Sequence, residues 1–148
     1  NASKELQKFE KTKPEKRLKK VRESIEDGYK EWVGRLSKEQ KSLIKQWVTE
    51  MQPTAELRFK YGNMWRVSMD LALRQRHTPE GKKSIKELIL EPQSLQEAEL
   101  KSRVEANNQL EKTYVLKLLQ TMTEKQKKRF IKKLKSYQED FQDLMKDD

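Results

Sequence analysis

The chain has 148 residues, 33% hydrophobic and 39% charged, and 34 Lys and Arg against 24 Asp and Glu give it a net charge of +10. Four glycines and four prolines are too few for the turns of a sandwich or barrel. No run of about 18 apolar residues is present to span a membrane as a helix, and the lack of cysteine excludes disulfides, thiolate chemistry and Cys-ligated metal. Lys, Glu, Gln, Leu and Arg are all good helix formers, so the composition predicts one all-α domain with a thin core.

Residues 1–14 are polar, end at Pro14 and read as a lead-in. Asn1-Ala2 lacks an initiator Met and resembles the scar left by tag removal. A longer precursor is therefore expected, with residues 15–148 as a single helical domain in its C-terminal part. From Glu15 the apolar residues Leu18, Val21, Ile25, Tyr29, Trp32 and Leu36 recur at steps of three and four, one face of a helix. Gly34 stands where a helix stops. Ser37 opens a second helix, and its spacing to Gln40 is that of a capping box. Leu43, Ile44, Trp47, Val48 and Met51 form its apolar face, and Pro53 ends it.

The third helix is expected from about Thr54 to Arg76. Leu57, Tyr61, Met64 and Leu71 share a face that Trp65, Met69 and Leu73 widen to more than half the circumference, which predicts a central helix sandwiched between neighbours. Gly62 inside it marks a close crossing or a weak point. Thr78-Pro79 starts a short helix with Ile85, Leu88 and Ile89 inward, and Pro92 ends it. Ser94 and Glu97 have capping-box spacing ahead of a fifth helix running to Gln120, whose polar middle, Asn107-Asn108-Gln109, reads as an exposed surface. Thr123 and Gln126 repeat the spacing before a last helix, where Phe130, Leu134, Tyr137, Phe141 and Leu144 recur at 4-3-4-3. The sum is five or six helices in a bundle or an elongated array of hairpins.

Little in this pattern points to catalysis. His77 is the only histidine and stands at a helix boundary. No phosphate-binding, dinucleotide-binding, zinc-protease or nucleophile-elbow motif occurs. The expectation is a non-enzymatic protein with no catalytic, cofactor or metal site. Lys125, Lys127, Lys128, Arg129, Lys132, Lys133 and Lys135 form a run that no acid interrupts. These positions lie mainly outside the Phe130–Phe141 stripe, so the run reads first as a solvated helix face. Its functional reading is an anionic-surface site made of Lys125, Lys128, Arg129, Lys132, Lys133 and Lys135, for lipid headgroups, lipopolysaccharide phosphates, an acidic partner or nucleic acid. Nucleic acid is the least favoured, because the aromatics sit at core-like spacing and offer no stacking platform. Trp32, Trp47 and Trp65 belong either to the core or to an apolar groove for client segments. Self-association is left open.

Two segments echo each other at an offset of 86: Leu36-Ser37-Lys38-Glu39-Gln40-Lys41 and Met122-Thr123-Glu124-Lys125-Gln126-Lys127. Each pairs a hydroxyl with a Gln three residues on and precedes an amphipathic helix. Both resemble, in degenerate form, the LTxxQ motif of the Spy and CpxP group of periplasmic stress proteins, with Ser for Thr in one copy and Met for Leu in the other. More broadly, the run Trp32-Val33-Gly34-Arg35-Leu36-Ser37-Lys38-Glu39-Gln40 with Trp47, Leu57-Arg58, Trp65 and Leu73-Arg74-Gln75-Arg76 is similar to the C-terminal helical region of a family of Gram-negative lipoproteins of unknown role. The closing stretch, Thr123 to Gln126 and Tyr137 to Phe141 with Leu144, matches the second helix start of that family. The resemblance covers most of residues 16–145. It implies an all-α fold, export across the inner membrane and a lipid anchor upstream, hence a periplasm-facing protein of the cell envelope at the outer membrane. It implies no activity, substrate or catalytic residue, and leaves three roles: an envelope module binding a protein or an anionic surface, a Spy-like chaperone or stress sensor, and a basic nucleic-acid binder. The lipobox cysteine is absent from this chain, and the last helix is more basic than the family pattern.

Overall fold

The computed structural model describes residues 2–146, with side chains for all of these except 2, 3, 5 and 6. It is all-helical. Among the described residues there are seven α-helices, one 3-10 turn and no strand. In chain order they are α1 (Ala2–Glu10), α2 (Pro14–Val33), α3 (Lys38–Glu50), α4 (Ala55–Arg74), α5 (Pro79–Leu90), the 3-10 turn (Pro92–Leu95), α6 (Ala98–Gln120) and α7 (Glu124–Lys146). The seventh helix is α1, in the stretch whose sequence reads as a lead-in. Nine residues make a helix that is marginal on its own, and Phe9 on it is half-buried.

The local signals account for most helix ends. Pro14 occupies the first turn of α2, where its missing N–H is no loss. Gly34 caps α2 with φ 84°, a conformation that a Cβ disfavours. Thr78 caps α5 by accepting from the Gly81 N–H at 3.0 Å. A Cβ on Gly81 would lie 1.9 Å from the Gln75 carbonyl oxygen, so only glycine fits there. The Ser94–Glu97 box does not form. Ser94 lies inside the 3-10 turn, Gln96 is extended, and α6 starts at Ala98. The Glu97 carboxylate is instead drawn to Lys60 at 2.9 Å.

The chain divides into two compact units. The first contains α1, then α4, α5, the 3-10 turn and the start of α6, with residues 52–108 as its main body. Its buried apolar side chains are Ala72, Leu88 and Leu100. α4 packs along α5, the Trp65 indole donates to the Leu88 carbonyl at 3.1 Å, and the Tyr61 hydroxyl donates to the Pro92 carbonyl. α4 is not the sandwiched helix that its wide apolar arc predicts. Met64, Val67, Leu71 and Leu73 are all exposed. Nor is Gly62 a close crossing, since nothing lies within 4 Å of a Cβ placed there. Asn107, in the polar middle of α6, does more than face solvent. Its side chain accepts from the Gln52 N–H and donates to the Gln52 carbonyl, both at 2.9 Å.

The second unit holds α2, α3, the end of α6 and α7, comprising Thr12–Met51 and residues 109–146. Its core is Val33, Leu36, Ile44, Trp47, Val48, Tyr114 and Leu118, flanked by half-buried Ile25, Tyr29, Trp32 and Phe130, among others. Trp47 and Tyr114 stack with ring centroids 6.0 Å apart and planes nearly parallel. The Tyr114 hydroxyl donates to Glu50 at 2.6 Å. Together with burial, that bond pushes the phenol pKa of Tyr114 up. Tyr29 is likewise raised, by burial and by the nearby charge of Glu111.

Candidate functional site

The two echoing segments meet in the second unit. At the start of α3, Ser37 Oγ accepts from the Gln40 N–H at 3.1 Å and Gln40 Oε1 accepts from the Ser37 N–H at 2.9 Å. At the start of α7, Thr123 Oγ1 accepts from the Gln126 N–H at 3.2 Å and Gln126 Oε1 accepts from the Thr123 N–H at 3.0 Å. Both are therefore complete capping boxes. The two glutamines then bond to each other. Gln40 Nε2 donates to Gln126 Oε1 at 2.9 Å, and Gln126 Nε2 donates to Gln40 Oε1 at 3.0 Å. Each amide spends its second hydrogen on the chain just ahead of the other helix, at the Thr121 carbonyl (3.4 Å) and the Arg35 carbonyl (3.0 Å). Both side chains are buried. Each amide makes two donations and two acceptances, its full capacity, and so escapes the usual penalty for burial.

This clasp fixes α7 at its first turn and aims its two faces. At 100° per residue, Lys125, Lys128, Arg129, Lys132 and Lys135 fall within about a third of the circumference. All five are exposed. Arg129 also lays its Cδ about where a Cβ on Gly34 would come within 3.3 Å of it. Lys133 departs from the stripe. It is half-buried, pairs with the Glu31 carboxylate at 3.1 Å, donates to the Glu31 carbonyl at 3.0 Å and lies 5.2 Å from the Trp32 ring centroid. Of the six cations that the sequence groups together, five share one solvated face and one ties α7 to α2.

On the opposite side of α7, Phe130 is half-buried and sits 5.6 Å from Trp32. Tyr137 stacks on the same indole at 5.4 Å. Apart from these ring contacts the seam is uncovered from Leu134 on. Leu134, Phe141, Leu144 and Met145 are exposed, Phe141 by 65% and Leu144 by 71%. The 4-3-4-3 spacing predicts a buried seam; only its first turns are covered.

Trp32 and Trp47 both belong to the second unit, Trp32 on α2 against α7 and Trp47 in the core, while Trp65 lies in the first. Trp47 also lines an open cleft of about 430 Å³ with Lys20, Val21, Ser24, Ile25, Met51 and Glu111. The Trp47 indole N–H is buried and finds no partner among the described residues. In the first unit, the hydrogen bond from Lys60 to Glu97 raises the Lys60 ammonium pKa. His77 is exposed. No group of three or more His, Asp or Glu is placed to hold a metal among the described residues, and no described helix is long and apolar enough to cross a membrane.

What sequence reasoning missed is the contact between Gln40 and Gln126. The echo at an offset of 86 was its signal, since two hydroxyl caps, each with a Gln three residues on, give the matched polar reach that a mutual pair requires. The model of a family of unknown function, DUF6279, matches residues 1–101. The matched stretch takes in Ser37 and Gln40 and stops ahead of α7. No curated protein and no solved structure matches the chain.

Proposed function

The chain belongs to DUF6279, a family of unknown function, and from that premise we propose that it is a non-enzymatic, periplasm-facing module of the Gram-negative cell envelope that docks on an anionic surface through α7. The observation that carries this reading is the stripe of Lys125, Lys128, Arg129, Lys132 and Lys135. All five are exposed on one helix face, and none of them has an acidic partner among the ion pairs of the described residues. Clusters of four to eight basic residues on one helix are what anionic headgroups attract, with each cation near the surface worth about 1 kcal/mol. The upstream lipid anchor implied by the family resemblance would keep such a face close to the membrane.

Co-sedimentation with phosphatidylglycerol vesicles, against phosphatidylcholine controls, tests the docking. Binding to the anionic vesicles alone is expected, weakening with salt. The triple variant K128E/K132E/K135E is expected to lose roughly 100-fold or more in affinity. Equal binding to both vesicle types, or an unaffected triple variant, defeats the reading. Compartment is tested separately, by fractionating cells that carry the full-length protein; a purely cytosolic protein removes the envelope assignment.

A second reading, a Spy-like chaperone, is favoured by one observation: the two LTxxQ-like segments form a single clasped pair in a unit that also exposes an apolar seam. Suppression of aggregation of a denatured client at equimolar ratio supports it, and no suppression counts against it.

A further inference from the structure

The cleft beside Trp47 is built wholly from the second unit. The core thins along α2, from Val33, 4% exposed, to Val21, 40% exposed. Val21 and Ile25 stand one turn apart on α2, and Trp47 and Met51 one turn apart where α3 ends, so each pair presents a common face. These four side chains give the cleft an apolar floor. Its volume of about 430 Å³ falls in the range of small-molecule sites, about 300–1,000 Å³. Polar groups without partners surround the floor. The Trp47 indole is 5% exposed and stacks on Tyr114, and its buried N–H finds no acceptor among the described residues. A buried donor left unpaired is costly and uncommon in folded chains. Lys20 on α2 and Glu111 on α6 line the same cleft, and neither takes part in an ion pair among the described residues. They face one cleft and stand too far apart to bond each other.

We propose that this cleft binds a short apolar peptide with both termini free. The peptide's ammonium pairs with Glu111 and its carboxylate with Lys20. A carbonyl between them accepts from the Trp47 N–H, and its side chains rest on Val21, Ile25 and Met51. The two charges select this class of ligand. A fatty acid answers Lys20 but lays its chain against the Glu111 carboxylate, which then loses water and gains no partner. A single amino acid carries both charges on one carbon, too close together to reach two groups that do not reach each other. A peptide separates them by about 3.3–3.6 Å per residue, so about two or three residues suffice. An internal stretch of a protein chain offers neither terminal charge. The site uses nothing on α7, so this proposal and the vesicle reading can each fail alone.

Titration calorimetry of the full chain with trileucine tests this, against the N-acetylated peptide, the C-terminal amide and dodecanoate. Trileucine is expected to bind, and blocking either terminus is expected to weaken it by about tenfold. Lys20 and Glu111 are both exposed, so Lys20→Gln and Glu111→Gln are expected to keep the helical content of the parent. Glu111→Gln is expected to weaken trileucine by about tenfold and to leave the N-acetylated peptide unaffected; Lys20→Gln is expected to do the same with the amide. In proton–nitrogen NMR spectra, the indole signal of Trp47, identified by elimination with Trp32→Phe and Trp65→Phe, is expected to move to lower field as its N–H gains an acceptor. The proposal is overturned if trileucine does not bind at millimolar concentration, or if the blocked peptides bind as well as the free one. It is equally overturned if either charge variant binds trileucine as the parent does, if the Trp47 signal stays in place, or if dodecanoate binds and trileucine does not.

Discussion

The two compact units draw on the same residue types and bury them to different depths. In the second, Ile44 and Leu118 are fully buried, two aromatic rings stack in the core, and a closed amide pair ties the starts of two helices. In the first, Leu100 is buried to a similar degree, but α4 leaves four large apolar side chains exposed, and much of the unit is joined by single hydrogen bonds to backbone carbonyls. Charge divides unevenly too. Of the 58 charged residues, Thr12–Met51 and residues 109–148 hold 21 Lys and Arg against 14 Asp and Glu, a net +7 of the total +10. The two units hold similar shares of apolar residues, but the second buries more of them and carries most of the excess cations. The difference shows that the amphipathic pattern fixes which face of a helix can be buried, while a second surface has to be present for burial to occur.

The sharpest way to break this comparison is to cut a side chain from each unit. Ile44→Ala and Leu118→Ala, both at fully buried positions, are each expected to cost about 2–5 kcal/mol in chemical denaturation. Leu71→Ala, at a position 58% exposed in the first unit, is expected to stay within about 0.5 kcal/mol. Equal costs would mean that the first unit is packed as deeply as the second.

Next in size is the amide clasp. Gln126→Ala removes two bonds to Gln40, one to the Arg35 carbonyl and the one accepted from the Thr123 N–H. It leaves the buried Gln40 amide half-satisfied, a loss of about 1–3 kcal/mol. Once Gln126 is gone, Gln40→Ala has less to remove, so the double variant is expected to fall short of the sum of the singles by at least about 0.5 kcal/mol. Additive costs would show the two capping boxes acting independently.

The clasp also shows what a sequence does and does not disclose. Helix starts at Ser37, Thr78 and Thr123, the stop at Gly34 and the core faces of α2 and α3 follow from local chemistry, where neighbours in sequence are neighbours in space. The same holds for the basic stripe on α7, which needs only the helical repeat. What failed were inferences that depend on a partner. α4 has the broadest apolar arc in the chain and little covers it. The α7 seam has ideal spacing and loses its cover after Phe130, save for the Tyr137 ring on Trp32. Ser94 and Glu97 have the right separation for a cap, but Lys60, 37 residues back, takes the carboxylate. Asn107 looks like an idle surface residue until Gln52 is brought to it by the fold.

A smaller effect separates glycines kept for space from those merely tolerated. Gly62 in α4 has open surroundings, so Gly62→Ala is expected to stabilise by about 0.5–1 kcal/mol through helix propensity alone. Gly81→Ala has the opposite sign, because its Cβ lands on the Gln75 carbonyl and α5 has to move. Thermal melts of the two variants, shifted in opposite directions from the parent, check this.

The finest distinction is electrostatic and appears only in alkali. Tyr114 in the second unit has its phenol pKa raised above the ordinary 10.0 by its bond to Glu50 and by burial. Below pH 10 the phenol is neutral in both folded and unfolded chains, and its contribution to stability is fully present. Above pH 10 the unfolded chain releases the proton first, so the folded state binds more protons and stability falls as pH rises through the folded pKa. Tyr114→Phe removes this dependence while keeping the ring on Trp47. Denaturation midpoints of parent and variant, followed from pH 9 to about 11, are expected to converge as pH rises, because the parent loses an advantage that the variant never had. Parallel curves would mean that the Tyr114–Glu50 bond contributes nothing to the stability of the second unit.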